Sequence, residues 1–397
     1  MNILFYTSYE VSPLKGGTER ITSTIAIGLQ KEYHVKCYSI YSTSIAPEFE
    51  RTKFTESQRI SFDSSFEDTL YGFIKKHDID IIVNQGAFVF AKRMRAVLDR
   101  FEGKYLVTVH HFNPGAEENF LNIHGLLWNI KVKREMGKSL IKLATYPMAK
   151  LYRRHKYRKA YHDAYICSDK VVLLSKKFYE DFQQYAKLNN TEKLHCIHNA
   201  LSFSEFFNID DYDKKKGKEV LIVSRLDETQ KRISLAIKIW SEIESDSTLQ
   251  DWTLTIIGHG KEYEEKYKHM VKKRELKRVA FLGAHPPVPY YERASIFMLT
   301  SAFEGWGLTL TEAQQFGVVP LAFHSYASLT DIITDGENGY VIPELDIKQY
   351  TQKLKLLMQD EAKRRVMAKK AIESSKEFQI ENICEEWMKL FQSLKKT

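Results

Sequence analysis

Short apolar runs recur along the chain, and stretches long enough to form amphipathic helices separate them. Such runs are typical of strands buried on both faces, and this alternation predicts parallel sheets covered by helices. The sequence therefore predicts an α/β protein with doubly wound, Rossmann-like sheets. The strand candidates are Ile3–Tyr6, Val35–Tyr41, Ile79–Asn84, Tyr105–His110, Val171–Leu174, Leu194–His198, Val220–Ser224, Trp252–Ile257, Val279–Leu282, Ile296–Thr300 and Val318–Phe323.

The length of the chain favours two domains, because 397 residues are many for a single core. A polar stretch, Asn208–Lys218, interrupts the strand series and is interpreted as a surface segment just after the boundary. Helical periodicity continues over Ile347–Phe378 and Ile380–Leu394. We predict a first domain over 1–200, a second over 201–375, and a C-terminal helix over 376–397 that could pack back on the first domain.

The composition is that of a soluble globular protein, with 43% hydrophobic and 28% charged residues, and the 13% of aromatic residues argues against disorder. Its cysteines form no CxxC pair, so a reducing compartment is favoured and no zinc site is indicated. The amino-terminal MNILFYTSYE predicts a strand rather than a signal peptide, and no apolar run could span a bilayer. We therefore expect a cytoplasmic protein.

A net charge of +8 indicates an anionic partner, and many cations lie between residues 131 and 159. Apolar side chains are interleaved with these cations, so a helix here could face the anionic inner surface of the cell membrane. The alternative is a solvated helix face packed on the first domain. The basic residues are Lys131, Lys133, Arg134, Lys138, Lys142, Lys150, Arg153, Arg154, Lys156, Arg158 and Lys159.

Ligands of doubly wound sheets bind beyond the carboxyl ends of the strands, so functional residues are expected in the loops that follow strands. In EVSPLKGGTERI, Gly16 and Gly17 precede a helix, where they could let the backbone approach an anion or serve only as turn residues. In VTVHHFNPG, His110 ends a strand and could face the ligand or be a structural hydrogen bonder. His111 should point to the opposite face.

Two loops of the second half carry charged residues. In SRLDETQKRI, Arg225 and Lys231 suit a diphosphate, although a solvated basic loop is the alternative. In TSAFEGWGLTLTEAQQFG, Glu304 and Glu312 flank the start of a helix whose first amides are open to phosphate oxygens. A carboxylate can accept hydrogen bonds from two vicinal sugar or ribose hydroxyls at once.

These motifs resemble those of the retaining glycosyltransferases of family 4, which have the GT-B fold. The matching pieces are GGTER, VTVH, VVLLSKKF, IHNA, SRLDETQKR, IIGHG, EGWGLTLTEAQQFGVVPLAF and DGENGYVI, and the Glu-x7-Glu element is the most specific. The resemblance implies two Rossmann-like domains facing a central cleft. It also implies transfer of a hexose-type sugar from a nucleotide diphosphate to a saccharide or a polyprenyl-diphosphate-linked acceptor, in cell-surface polysaccharide synthesis. UDP is favoured as the nucleotide, with GDP and ADP left open.

The resemblance also assigns roles to individual residues. Arg225 and Lys231 would neutralise the diphosphate, which Gly16 and Gly17 would approach from the first domain. His110 and Glu304 would contact the donor sugar as catalytic residues, and Glu312 would hold the ribose hydroxyls. The backbone that binds sugar and phosphate oxygens would be that of Gly305, Trp306, Gly307, Leu308 and Thr309. Two departures are Arg232, where the family usually has glycine, and Trp306, where it commonly has phenylalanine or tyrosine.

Neither a metal nor a cofactor is predicted, because two cations and a helix N-terminus can neutralise the leaving diphosphate. The Asp-x-Asp strings Asp78–Asp80 and Asp211–Asp213 are interpreted as solvated turns. The resemblance implies front-face attack, in which the departing phosphate oxygen takes the acceptor proton. A same-fold epimerase or phosphorylase is an alternative. So is a non-catalytic basic protein that binds nucleic acid, although no nucleic-acid partner is predicted.

Overall fold

The structure is a computed structural model that describes residues 1–13, 16–44, 51–85, 88–119, 123, 126, 127, 130 and 136–395. Its strands are β1 (Asn2–Tyr9), β2 (Lys36–Thr43), β3 (Ser57–Arg59), β4 (Ile81–Asn84), β5 (Tyr105–His110), β6 (Lys170–Leu173), β7 (Leu194–Cys196), β8 (Glu219–Val223), β9 (Thr253–Ile257), β10 (Val279–Gly283), β11 (Ile296–Leu299), β12 (Val319–His324) and β13 (Tyr340–Pro343). Its helices are α1 (Gly17–Tyr33), α2 (Phe66–His77), α3 (Ala91–Leu98), α4 (Ala116–Asn119), α5 (Met136–Ala144), α6 (Tyr146–Cys167), α7 (Tyr179–Ala186), α8 (Tyr212–Lys215), α9 (Ile233–Glu244), α10 (Lys261–Lys273), α11 (Val288–Arg293), α12 (Leu308–Gln315), α13 (Leu329–Ile332), α14 (Ile347–Gln359), α15 (Glu361–Ser375) and α16 (Ile380–Leu394).

The chain divides into two compact units. The first unit contains Met1–Gly115, Arg153–Ser202 and Phe378–Thr397, and the second contains Ala116–Tyr152 and Phe203–Glu377. Each unit holds one of the two sheets.

The sheet of the first unit is parallel throughout, in the order β3-β2-β1-β4-β5-β6-β7. Alternate side chains of β1 enter different sides of the core, as the two-residue period of a strand requires. Leu4 and Tyr6 join a buried cluster with side chains of α2 and α3. Ile3 and Phe5 are equally buried outside that cluster, so the strand is covered on both faces.

The sheet of the second unit is also parallel, in the order β10-β9-β8-β11-β12-β13. Its central strand β11 is fully buried over Ile296–Leu299, which explains why its sequence is a continuous apolar run. Trp240 of α9 and Trp252, just before β9, are among its largest buried side chains.

The helix α16 packs on α1 within the first unit. A Cβ atom added at Gly28 of α1 would lie 2.6 Å from Sγ of Cys384 in α16. The face of α16 that carries Cys384, Trp387 and Phe391 is buried, which follows from apolar residues at helical spacing. The close approach of the two helices therefore requires glycine at position 28.

The fold class predicted from the sequence is confirmed, and each predicted apolar run overlaps a strand. Two strands, β3 and β13, were not predicted, and both lie at a sheet edge. The helical periodicity over Ile347–Phe378 is divided between two helices, because the chain breaks at Asp360 into α14 and α15. The Asp360 carboxylate accepts a hydrogen bond from the Lys363 amide and caps α15. Within the described residues, no helix is both long and apolar enough to cross a bilayer.

Candidate functional site

The candidate site lies at the point of the second sheet where the strand order reverses. Strands β8 and β11 are hydrogen-bonded neighbours there, although β9 and β10 separate them in sequence. Loops that leave such a point from the carboxyl ends of the strands form the ligand crevice of doubly wound sheets. The two loops are residues 224–232 after β8 and residues 300–307 after β11.

Hydrogen bonds of both backbone and side-chain groups join these two loops. The Ala302 amide donates to the Gln230 carbonyl at 2.6 Å, and the Thr300 hydroxyl donates to the Lys231 carbonyl at 2.9 Å. The Gln230 side-chain amide donates to the Phe303 carbonyl at 3.2 Å. Each loop therefore fixes the conformation of the other.

Three of the predicted charged residues are linked: Lys231 contacts Glu304 directly, and Gln230 connects Arg225 to Glu304. The Lys231 ammonium lies 2.5 Å from Oε1 of Glu304, and the two side chains are 15% and 10% exposed. Gln230 accepts a hydrogen bond from Arg225 at 2.9 Å and donates to Oε2 of Glu304 at 3.3 Å. The sequence predicted Arg225, Lys231 and Glu304 but neither the Lys231–Glu304 pair nor the bridging Gln230. The signal for Gln230 was its place in the loop, directly before Lys231.

The glycines of IIGHG hold the loop that carries Arg225. A Cβ atom at Gly258 would lie 1.7 Å from the Ser224 carbonyl oxygen, and one at Gly260 would lie 2.4 Å from that of Leu226. The Leu226 amide donates to the His259 carbonyl at 2.8 Å. The backbone after β9 thus supports the backbone after β8 at a distance that excludes any side chain.

The helix α12 begins next to Glu304 without a side-chain cap. Gly307 precedes it with φ of 95°, a left-handed conformation that favours glycine, and the first helical residue is Leu308. The Ser328 hydroxyl donates to the Gly305 carbonyl at 2.8 Å, whereas the Trp306 side chain is buried. The first amides of α12, including that of Thr309, can therefore serve an anion.

Glu312 lies inside α12 and is fully buried, with 0% of its surface exposed. Its Oε2 accepts a hydrogen bond from the Tyr291 hydroxyl at 2.9 Å. Ribose hydroxyls can reach this carboxylate only if the packing around it opens. The ribose-binding role of Glu312 stays a prediction.

Arg232 occupies the position where the resembling family usually has glycine, and its backbone shows why. Its φ and ψ are 48° and 45°, in the left-handed region, at the residue that precedes α9. Glycine adopts this conformation freely, whereas arginine is strained in it. The Arg232 guanidinium donates to Glu344 at 2.9 Å.

His110 of the first unit lies at the end of β5 in an aromatic enclosure. It is 2% exposed, its Nε2 lies 2.5 Å from the Tyr161 hydroxyl, and the rings of Phe88, Tyr161 and Phe182 surround it. Burial, and then the nearby His111, lower the pKa of His110 to about 3. The imidazole is therefore neutral at physiological pH.

His111 and the two glycines before α1 are the other residues of the first unit that the sequence singled out. His111 lies with Nε2 2.6 Å from Oε1 of Gln85, and burial lowers its pKa to about 4. Gly16 and Gly17 are exposed at the start of α1. The roles predicted for Gly16, Gly17 and His110 remain predictions.

Within the part of the chain that the structure describes, no group of three or more His, Cys, Asp or Glu side chains is placed to hold a metal ion. The aspartates of the two Asp-x-Asp strings pair instead with cations. The pairs are Asp78 with Lys104, Asp80 with Lys395, Asp211 with Lys215 and Asp213 with Arg365.

Comparisons with known proteins identify the class. Residues 205–374 match the family model of glycosyl transferases group 1. An uncharacterized glycosyltransferase of Haemophilus influenzae is 26% identical over 379 residues, which cover 94% of this chain and 95% of that protein. The GalNAc-α-(1→4)-GalNAc-α-(1→3)-diNAcBac-PP-undecaprenol α-1,4-N-acetyl-D-galactosaminyltransferase of Campylobacter jejuni is 29% identical over 222 residues, 55% of this chain and 58% of that protein.

The crystal structure of HepE from Anabaena in complex with UDP is similar in fold, with a TM-score of 0.74 at 16% sequence identity. The match covers 99% of this chain and 100% of that chain. Together these similarities make the chain a glycosyltransferase with the GT-B fold, as its sequence motifs predicted.

Proposed function

We propose that the protein is a retaining, family 4 glycosyltransferase that moves a hexose from a UDP-sugar to a saccharide or lipid-linked saccharide in polysaccharide synthesis. The observation that carries the proposal is the linked set Arg225, Gln230, Glu304 and Lys231 beside the uncapped start of α12. Two cations and a helix N-terminus suit a diphosphate, and the adjacent carboxylate suits sugar hydroxyls. The UDP complex of HepE supports UDP as the nucleotide.

Charge neutralisation at the leaving group is the main catalytic task. The charge that develops on the departing diphosphate would be stabilised by Arg225, Lys231 and the amides of Leu308 and Thr309. These groups supply positive charge without a metal, so we propose that the enzyme needs neither metal nor cofactor.

The stereochemical proposal follows from how the two glutamates are engaged. Retention by double displacement requires a carboxylate free to attack the anomeric carbon. In the proposed complex Glu304 is occupied by hydroxyls of the donor sugar, and Glu312 is fully buried. We therefore propose front-face attack, in which an oxygen of the departing phosphate takes the acceptor proton. Glu304 would hold donor-sugar hydroxyls, and Glu312 would hold the ribose.

The acceptor is proposed to be carried at the inner face of the cell membrane. The name of the Campylobacter jejuni relative contains a PP-undecaprenol-linked saccharide. In α6 of the present chain, Met148, Leu151 and Tyr152 share one helix face and are 78%, 69% and 68% exposed. Cations interleave with them through Lys159, a combination that suits an anionic bilayer. The basic residues Lys131, Lys133 and Arg134 lie outside the described residues.

A donor screen tests the proposed reaction. UDP-sugars should raise the melting temperature more than GDP- or ADP-sugars, because specific binding to the native state raises apparent stability. With the selected α-linked donor, NMR of the first-formed product should show an α anomeric proton, and EDTA should leave the rate unchanged. A β product would exclude front-face attack, and loss of activity with EDTA would reopen the question of a metal. Conversion of the donor without acceptor would indicate an epimerase, and phosphate dependence would indicate a phosphorylase.

Vesicle sedimentation tests the membrane proposal. Binding should increase with anionic lipid and fall with salt, since each cation near the surface contributes about 1 kcal/mol. It should weaken when five cations of α6 are neutralised, but not when five cations of α14 and α15 are. Equal binding to neutral and anionic vesicles would contradict the proposal. The first set is Arg153, Arg154, Lys156, Arg158 and Lys159, and the control set is Lys348, Lys353, Lys363, Lys369 and Lys370.

A further inference from the structure

The hydroxyl of Tyr326 is a buried donor that the proposed chemistry does not yet use. Tyr326 follows β12 and is 4% exposed, and its Oη has no hydrogen-bond partner among the described residues. A Cβ atom built at Gly307 would lie 3.0 Å from this Oη, so the hydroxyl sits against the start of α12. Burial, and then the charge of Glu304, raise the pKa of Tyr326 well above 10, so the hydroxyl keeps its proton.

An unpartnered phenol in the interior requires a reason, because phenylalanine would fill the same space without the desolvation cost. Another buried tyrosine of the second unit, Tyr350, satisfies its hydroxyl by donating to the Leu321 carbonyl at 2.7 Å. The packing around Tyr326 therefore does not require its hydroxyl.

Binding of a diphosphate would change the surroundings of Glu304. In the structure this carboxylate, on a side chain that is 10% exposed, is satisfied by Lys231 at 2.5 Å and by a long contact from Gln230 at 3.3 Å. A diphosphate that recruits the Lys231 ammonium would leave the buried carboxylate with only the long contact. A buried carboxylate in that state is strongly disfavoured unless another donor replaces the lost one.

We propose that Tyr326 is a positioning residue whose hydroxyl donates to Glu304 when the diphosphate of the donor draws Lys231 away. The inference rests on the function proposed for Lys231 and Glu304. The exchange keeps the Glu304 carboxylate hydrogen-bonded and oriented toward the hydroxyls of the donor sugar. Gly307 leaves room for this exchange, because any side chain there would contact the hydroxyl.

A ligand-free double-mutant cycle tests the exchange without any donor. Lys231→Met removes the ammonium as the diphosphate would. Tyr326→Phe should leave the melting temperature of the otherwise wild-type protein within about 1 °C, but should lower that of Lys231→Met by about 4 °C or more. The control Tyr350→Phe should lower the melting temperature by the same amount in the wild-type and the Lys231→Met backgrounds. An equal effect of Tyr326→Phe in the two backgrounds would overturn the proposal.

Calorimetric titration with UDP supplies the second measurement. Tyr326→Phe should weaken UDP binding about tenfold, the effect expected for one lost charge-assisted hydrogen bond. The loss should vanish in Glu304→Gln, where no carboxylate needs support. A tenfold loss that persists in Glu304→Gln would contradict the proposal. If the wild-type protein binds none of UDP, GDP and ADP, the proposed function fails, and the ligand-free cycle alone decides the role of Tyr326.

Discussion

Replacing Gly258 by alanine should damage both the stability of the second unit and the loop that carries Arg225. The added Cβ would lie 1.7 Å from the Ser224 carbonyl oxygen and 2.7 Å from its carbon, and φ at this residue is 145°. Backbone atoms cannot rotate away as a flexible side chain can, so one of the two loops must move. The displaced segment is the one that leads into Arg225.

The magnitude follows from two costs. Overpacking of a filled interior costs about 1–3 kcal/mol. A side chain in a backbone region open essentially to glycine costs a further 1–3 kcal/mol, approximately. We expect Gly258→Ala to lower the free energy of unfolding by about 2–6 kcal/mol and to weaken UDP binding.

Urea unfolding followed by tryptophan fluorescence measures the stability change, because Trp240, Trp252 and Trp306 are all buried in the second unit. Gly283→Ala is the matched control, since its φ of 76° carries backbone strain but no atom lies within 4 Å of the added Cβ. It should cost about 1–2 kcal/mol and leave UDP affinity unchanged. A Gly258→Ala variant no less stable than Gly283→Ala would refute the steric reasoning.

Other predictions concern the glutamates, a strained arginine and a buried histidine. Glu304→Ala should slow sugar transfer while UDP still binds, whereas Glu312→Ala should weaken UDP binding by about 1.5–3 kcal/mol. Identical UDP affinities of the two variants by calorimetry would overturn the assignment of Glu304 to the sugar and Glu312 to the ribose. Arg232→Gly should be more stable than Arg232→Ala by about 1 kcal/mol in urea, because both lose the ion pair and only glycine relieves the left-handed strain; equal stabilities would contradict this. His110 has a pKa of about 3 when folded against an ordinary 6.5, so its stabilising contribution is complete above pH 6.5 and is lost as pH falls toward 3. This contribution to the free energy of unfolding should be about 2 kcal/mol smaller at pH 5 than at pH 8. If the free energy of unfolding depends on pH in the same way in His110→Phe as in the wild type, His110 is not the cause.

The sequence predicted the parts of the fold in which local pattern and tertiary burial agree. Central strands such as Ile81–Asn84 and Ile296–Leu299 are buried throughout, and apart from Asn84 their residues are apolar. The edge strand Ser57–Arg59 is polar, so nothing in its composition distinguishes it from a loop. The break at Asp360 was missed because helical periodicity continues on both sides of it and only the capping geometry reveals it.

The chemistry of the site was predictable by residue type but not by pairing. Lys231 and Glu304 are 73 positions apart, and only the neighbouring placement of β8 and β11 brings them together. The left-handed backbone of Arg232 was equally hidden, since arginine gives no local signal for it. The burial of Glu312 depends on packing around α12 that the motif does not encode.

The contact between α1 and α16 has a consequence for synthesis of the protein. The ribosome delivers α1 early, whereas its partner α16 emerges only after the whole of 203–377 has been made. At roughly 5–20 residues per second, the groove around Gly28 stays uncovered for on the order of 20–70 s before Cys384 and its neighbours are made. During that interval the nascent first unit exposes an apolar helix face. A premature stop within the second unit would therefore release a chain in which the earlier unit is also unfinished.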